Sequence, residues 1–348
     1  FNPNPNVRCA RGDYPIDDKN SPISIANFNG VGGSSVLYSG HVPRFYKSDF
    51  KTKTKDKVGY DWPIDLKDLE KFYDLNEKKL GVRGLIGNKN YPNIKKLKPH
   101  IPLGRLGEKV AEGFNKLGWN WWPSYSAVNI KKTKTKDKFS INDICNSYLK
   151  EALKNGVKLY QNHKVLKIIV KKNVVDGVLY LDNKNNKKFL KTSLIILACS
   201  ALGTPRLLLN SSNKDFPNGL ANSSGLVGKN LMLHPYGYVE GIVDEKINSQ
   251  IGPKGCCIFS HQFYKTNIKN NFKRGYTIHL LRENGPLTTS RNLLKFRELK
   301  FGKKFHDIFM NTFGHLIPIA IICEDLPQKT NFLELDKNKK DLDGMPGI

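Results

Sequence analysis

The residues best suited to chemistry near the start of this 348-residue chain are glycines and serines rather than acids or nucleophiles. Gly30-Val-Gly32-Gly33-Ser34-Ser35 follows a strand-like stretch at 22–27, and Asp49 stands 19 positions beyond Gly30. The pattern comes near the dinucleotide fingerprint G-x-G-x-x-G, in which glycines admit a pyrophosphate and an acidic residue holds a ribose. The sixth position is Ser35, however, and the segment after it contains Gly40 and Pro43, which a crossover helix does not tolerate. The better account is a loop whose bare backbone lies close to a flat ligand, with no Cβ in the way and short hydroxyls at hand. A plain glycine-rich turn is the bland alternative on these residues alone.

The histidines offer little as bases. His41 lies nearest the glycine loop, His234 precedes Pro235, and His279 and His315 sit in strand-like runs. None has a second His or a carboxylate at a spacing that would orient it, so each reads as a hydrogen-bonded core residue. No catalytic residue is assigned, and His234 is a second-tier candidate for shaping a site. The six cysteines show no C-x-x-C and no zinc spacing, so free thiols and no metal site are expected.

These residues need elements to hold them. Asp65 to Leu80 places Leu66, Leu69, Phe72, Tyr73, Leu75 and Leu80 near helical spacing, with Asp65 as N-cap and Gly81 as stop. Leu103 to Leu117 repeats the form, ended by Gly118, and the cluster Trp119-Asn-Trp-Trp-Pro123 reads as a core wedge. A third helix is expected over 141–155 after the Lys-rich stretch 131–138, and 51–57 reads as a charged loop. Strands are expected at 157–160, 164–170 and 174–181, with 182–186 as a turn. Ser193-Leu-Ile-Ile-Leu-Ala-Cys199 is continuously apolar, as a strand buried on both faces would be, and a helix is expected to start at Thr204-Pro205. From Tyr236 the chain turns strand-rich and aromatic, ending in a run at 315–322. The fold class expected is α/β, α+β overall, with 1–235 as α/β and 236–348 as a mostly antiparallel layer.

Composition bounds the rest. Lys+Arg 57 against Asp+Glu 31 gives a net charge of +26, which suggests a polyanion partner. Ten of the basic residues are Arg and 47 are Lys, scattered among Asn and Asp rather than gathered on one face. Nucleic-acid sites favour clustered Arg, so solvated Lys-rich loops are the preferred reading; a basic polyanion-binding module without enzymatic activity is the alternative, and an acidic membrane surface a lesser one. No stretch reaches the ~20 apolar residues of a membrane-spanning helix.

Several segments in one order resemble the glucose-methanol-choline (GMC) FAD-dependent oxidoreductases. Gly30-Val-Gly-Gly-Ser-Ser-Val-Leu-Tyr38, followed by Arg44 and Asp49-Phe50, is similar to the first signature of that family, the loop over the flavin ring. Asp61-Trp-Pro-Ile-Asp-Leu66 through Tyr73 to Leu80-Gly81-Val82, Ser200-Ala-Leu-Gly-Thr-Pro-Arg-Leu-Leu-Leu-Asn-Ser211, and Gly225-Leu-Val-Gly-Lys-Asn-Leu-Met-Leu-His-Pro235 resemble three further stretches. Glu324-Asp-Leu-Pro327 with Asn331 and Leu335-Asp336 is similar to the opening of the C-terminal region. Tyr38 stands where Asn or His is usual, and Ser212 where Gly is usual.

The resemblance implies FAD as cofactor, a small-molecule alcohol as substrate, an unidentified electron acceptor, and oxidation of CH–OH groups by hydride transfer to flavin N5. It implies that Gly32, Gly33, Ser34 and Ser35 face the isoalloxazine and that Tyr38, Ser39 and Gly40 continue along it. Val165 would offer backbone to the adenine, and Ser200 and Ala201 would sit near the ribose-phosphate side. An incomplete FAD-binding, Rossmann-like domain is expected from 1–50 and 140–235, a helical insert from 51–139, and a truncated substrate domain from 236–348. Phe1 without Met and a close on the turn residues of Asp341–Ile348 make both ends read as cut. In the family a βαβ unit belongs before residue 1 and the catalytic His after residue 348, so the chain is expected to be a central portion, inactive alone.

Overall fold

The computed structural model describes residues 4–133, 137–267, 269 and 271–348. Of the Lys-rich stretch 131–138, residues 134–136 lie outside the described residues. In chain order the helices are α1 (Pro5–Arg8), α2 (Thr52–Asp56), α3 (Leu66–Leu80), α4 (Gly104–Lys116), α5 (Lys150–Lys154), α6 (Ser200–Asn210), α7 (Pro286–Phe296) and α8 (Lys303–Thr312). The strands are β1 (Trp122–Pro123), β2 (Val128–Lys131), β3 (Lys138–Ile141), β4 (Lys164–Lys171), β5 (Val174–Leu181), β6 (Lys187–Lys191), β7 (Tyr236–Ile242), β8 (Cys256–Ser260), β9 (Tyr276–Leu281), β10 (Leu316–Cys323), β11 (Asp336–Lys340) and β12 (Pro346–Gly347). They fall into two compact units, the first made of Phe1–Ser34, Glu151–Leu233 and Asp325–Ile348, the second of Ser35–Lys150 and His234–Glu324.

The first unit is built on an antiparallel sheet in the order β4-β5-β6. Ile168 and Val178 of that sheet pack against Leu207 of α6 and Leu220. A second cluster joins Tyr14 and Ile16 to Leu202, Leu333 and Ile348. Arg206 of α6 ties the two ends of this unit together: its guanidinium lies 4.2 Å from the Tyr14 ring centre and donates to Asp341 at 2.6 Å and to the Pro346 carbonyl at 2.7 Å.

The second unit carries a five-stranded antiparallel sheet in the order β1-β8-β9-β10-β7. On one face α4 lays Leu106, Val110, Ala111 and Phe114 against Ile258, Ile278 and Leu280, with Ile317 and Ile319 beside them. This is the apolar stripe of an amphipathic helix meeting the alternate residues of a sheet. The opposite face follows from register: Tyr238 stands across from Ala320, Ala320 from His279, and His279 from Phe259, so all four project to one side. Phe259, 0% exposed, centres a cluster with Tyr46, Tyr91, Tyr125, Leu80 and Val82. Truncating a side chain so enclosed costs about 3–5 kcal/mol.

Most expected elements form. The Asp65 side chain accepts from the Lys67 N–H, Asp68 completes a capping box, and Gly81 ends α3 in the left-handed conformation at φ 62°. Trp119 packs on Phe114 and Phe263, and Trp121 Nε1 donates to Asn115 Oδ1, so the aromatic cluster is a core wedge. Six expectations need correction. Residues 22–27 and 157–160 form no strand among the described residues, and 51–57 contains α2 instead of a loop. The expected third helix is shorter: β3 occupies its first residue, and a π-helical turn at Cys145–Leu149 leads into α5. α6 begins at Ser200, with Pro205 inside it, because the left-handed Ser200 (φ 65°) starts the helix earlier than proline chemistry suggests. The apolar run 193–199 pairs with no strand among the described residues; Ile195 and Leu197 pack inward while Leu194 and Ile196 stay 75% and 84% exposed. No helix among the described residues is long and apolar enough to cross a membrane.

Candidate functional site

Of the residues expected around a cofactor, Gly32, Gly33, Ser34, Val165, Ser200 and Ala201 belong to the first unit, and Ser35, Tyr38, Ser39 and Gly40 to the second. In the first unit, Gly32 (φ 86°) and Gly33 (φ 56°) both take left-handed conformations, and the Gly33 N–H closes a turn onto the Gly30 carbonyl at 2.9 Å. A Cβ on Gly33 would meet nothing within 4 Å, so one side of this backbone lies open. Ser34 is exposed beside it, and Val165, in β4, is 38% exposed. Ser200 and Ala201 form the exposed start of α6, which has no side-chain cap bond from Cys199. Free N–H groups at a helix start attract anionic or hydroxyl oxygens. Holding Ser200 left-handed costs about 1–2 kcal/mol, the kind of strain that collects at binding sites.

In the second unit the expected residues are stitched into the strands behind them. Ser35 Oγ accepts the Ile144 N–H at 3.3 Å, and the Tyr38 hydroxyl donates to the Asn142 carbonyl at 2.7 Å. Burial, and secondarily Asp143, push the Tyr38 phenol up from its ordinary value. The Gly40 carbonyl accepts from the Ala127 N–H at 2.8 Å, and a Cβ there would press on the Ala127 carbonyl at 3.3 Å. Ser39 is exposed, with Gly255 so close behind that a Cβ on that glycine would reach it at 2.7 Å.

Three histidines of the second unit meet on the sheet face opposite α4. The ring centres of His41 and His279 lie 4.7 Å apart, and Phe259 separates them from His261. His41 Nδ1 bonds to Ser124 Oγ at 2.8 Å, His261 Nδ1 to the Tyr46 hydroxyl at 2.8 Å, and His279 Nε2 to Thr277 Oγ1 at 3.1 Å. His41 Nε2 is buried with no hydrogen-bond partner among the described residues. Desolvation lowers all three: His261 to about 3, His279 to about 4, and His41 well below its ordinary value. They are neutral at pH 7. His234 and His315 are each tied to a carbonyl, of Cys323 at 2.8 Å and of Val243 at 3.0 Å.

A cavity of about 350 Å³ opens in the same unit, lined by Tyr238, Glu240, Glu283, Asn292, Arg297 and Thr312 among others. The buried Glu283 carboxylate accepts from Ser249 Oγ at 2.6 Å, the Gly314 N–H at 2.8 Å and Thr289 Oγ1 at 3.3 Å, yet burial still raises its pKa. The Tyr238 hydroxyl donates to Glu240 Oε1 at 2.6 Å. Sequence reading missed this cavity and His261, because strand register assembles both from distant segments. The only local signal was the alternation of Tyr236, Tyr238 and Glu240 along one strand.

A model of the GMC oxidoreductase family matches residues 16–236. The chain belongs to the GMC oxidoreductases. It is 31% identical to 2-methyl-1,2-propanediol dehydrogenase of Mycolicibacterium austroafricanum, over 98% of this chain and 65% of that protein. It is 26% identical to the fructose dehydrogenase large subunit of Gluconobacter japonicus, over 91% of this chain and 61% of that protein. The chain thus spans a little under two thirds of the length of these relatives. Among solved structures, a formate oxidase from Aspergillus oryzae RIB40 shares the fold with a TM-score of 0.58 at 12% identity, over 96% of this chain and 65% of that one. Pyridoxine 4-oxidase from Mesorbium loti gives 0.52 at 13% identity, over 86% and 56%. FAD is the cofactor of this GMC chain's family, and the open glycine backbone and uncapped helix start are groups that suit a flat ring and an anionic tail.

Proposed function

We propose that the protein oxidises alcohols with FAD, and that this chain supplies part of the flavin site and a large part of the substrate side. The observation that carries the reading is the Gly32-Gly33 backbone, left-handed at both residues and open at Gly33 where a side chain would stand, in a GMC oxidoreductase. Bound FAD supplies the hydride acceptor, and the protein contributes orientation, exclusion of water and proton handling. Gly32, Gly33, Ser34 and Ser35 approach the ring; Tyr38, Ser39 and Gly40 extend that approach. Val165 offers backbone to the adenine, and Ser200 and Ala201 offer N–H groups to the ribose-phosphate side. The relatives named for a diol and for fructose support a hydroxyl-bearing donor as substrate class. The cavity around Tyr238, Glu240 and Asn292 has the hydrogen-bonding groups such a donor would use.

We assign no base within the chain: His41, His261 and His279 are buried among aromatic rings, and each spends one ring nitrogen on a neighbouring hydroxyl. The 348-residue chain alone is therefore inactive. The test is a titration of the purified chain with FAD, followed by flavin fluorescence, with dye-linked alcohol oxidation measured alongside. Weak association or none is expected, with no dye reduction, and any association should be lost in Gly33→Val. Tight stoichiometric flavin with turnover would overturn the inactivity; association that Gly33→Val leaves unchanged would overturn the site.

A further inference from the structure

The helices α7 and α8 form a hairpin in the second unit, joined by residues 297–302. Phe301, in that connection, is 76% exposed. Its ring does not hang free: it lies 5.1 Å from Phe305, which lies 6.3 Å from Phe309, which lies 5.3 Å from Phe313. Spacing of four residues sets these rings in one row along α8. The row runs from solvent at Phe301 to part-buried rings at Phe305, Phe309 and Phe313. A single exposed aromatic is ordinary on a protein surface. What sets this one apart is its company, because Lys300, Lys303 and Lys304 flank it and are all exposed. Leu287 on α7 is 86% exposed and Met310 on α8 49% exposed. From residue 286 to 312 there are six basic residues and two acidic ones, Glu298 and Asp307.

We propose that this hairpin docks the protein on an anionic phospholipid surface, with Phe301 entering the headgroup boundary and Lys300, Lys303 and Lys304 pairing with lipid phosphates. Apolar protrusions ringed by lysine suit that interface, where a ring leaves water while ammonium groups remain in the headgroup layer. Nucleic acid would engage the lysines but would leave the Phe301 ring in water. A second copy would bring one positive tip against another. The affinity is expected to be modest, since each surface lysine contributes roughly a fivefold gain on an anionic leaflet.

The experiment is co-sedimentation of the full chain with vesicles of phosphatidylcholine alone or mixed with phosphatidylglycerol, at about the ionic strength of cells. The chain should pellet with the anionic vesicles and stay in solution with the neutral ones. Phe301→Ser, which leaves the charge unchanged, should weaken binding roughly tenfold, on the scale of burying one aromatic side chain. The double change Lys303→Glu with Lys304→Glu should weaken it further, whereas the same double change at Lys187 and Lys188 should weaken it less. Phe301→Trp should add a fluorescence component quenched by brominated lipid that wild type, with its four native tryptophans, lacks. All these positions are exposed, and unchanged far-UV circular dichroism verifies folding. Equal binding by wild type and Phe301→Ser, or equal losses from both lysine pairs, would reduce the effect to generic attraction by the +26 charge and overturn the proposal. Losses seen on duplex DNA but not on vesicles would overturn it in favour of nucleic acid.

Discussion

Replacing His261 by Gln should flatten the acid sensitivity of the second unit. In the folded chain the His261 ring is stacked on Tyr264 at 4.9 Å and lies 4.7 Å from Phe259 and 5.2 Å from Tyr91. Its Nδ1 is bonded to the Tyr46 hydroxyl at 2.8 Å. Desolvation, and secondarily His279, lower its pKa from 6.5 to about 3. Because the folded value is depressed, the unfolded chain binds the proton first as pH falls. Stability is therefore fully present above pH 6.5 and declines from there toward pH 3. Each pH unit inside that window is worth about 1.4 kcal/mol, so His261 alone removes about 2 kcal/mol by pH 5. His279, lowered to about 4 by desolvation, acts over nearly the same window. Both rings stay neutral in the fold down to pH 5, so wild type should lose about 4 kcal/mol between pH 7 and pH 5 from this pair, and the variant about half of that. All four tryptophans, Trp62, Trp119, Trp121 and Trp122, lie in the second unit, so urea unfolding followed by tryptophan fluorescence at pH 5, 6 and 7 reads the right transition. The absolute stability of the variant is irrelevant; the slope decides. A slope in His261→Gln equal to that of wild type, or stability that rises toward pH 5, would mean that His261 does not drive the acid loss.

Two further predictions concern what holds the second unit together. Arg274, 4% exposed, bonds Asp49 at 3.0 Å, Asp56 at 3.2 Å and Glu324 at 2.9 Å, so Arg274→Met leaves three carboxylates without their cation and should cost about 3–5 kcal/mol in urea unfolding, with Arg274→Lys recovering part of it. Asp65→Ala removes the acceptor that caps α3 and should lower stability by about 1 kcal/mol; thermal melting checks it, and no change would mean that tertiary packing alone sets the helix start.

How much of this was legible in the sequence depends on whether the signal was local. α3 could be bounded to a residue because Asp65 and Gly81 act on groups within one turn of themselves. The pair β4-β5 could be seen because the two strands are joined by a tight turn at Lys172 and Asn173, both left-handed. The start of α6 was misplaced because Pro205 carries a strong preference for the first helical turn, while the left-handed Ser200 that starts the helix carries none. The histidine cluster could not be read at all. Residues 41, 261 and 279 meet because Phe259 pairs with His279 across β8 and β9 and because His41 bridges to Ser126, and neither register is written in any short window. The glycine loop was expected to open no crossover helix by a purely local argument, since Gly40 and Pro43 bar one, and only a 3-10 turn over Gly33–Val36 follows it.

The run at 193–199 carries the sharpest lesson about what apolar composition means. It reads as a strand buried on both faces, and one face is: Ile195 and Leu197 join Ile168, Val178 and Leu207. Leu194 and Ile196 stay open, although covering each would be worth about 1.5–3 kcal/mol. Composition therefore states which surface a segment can bury, and the fold decides how much of it is used. The run leads directly into Ser200 and Ala201, where an uncapped helix start offers N–H groups. An apolar ridge that ends in a few polar donors is how cofactor sites are made. The open face of this run and the open side of Gly33 thus argue for the same reading. If FAD lies here, its binding should slow chymotryptic cleavage after Leu194 and Leu197 and leave cleavage after Leu299 and Phe301 in the α7–α8 connection unchanged. Equal protection of both would point to a general stabilisation and against a flavin seated at the end of this run.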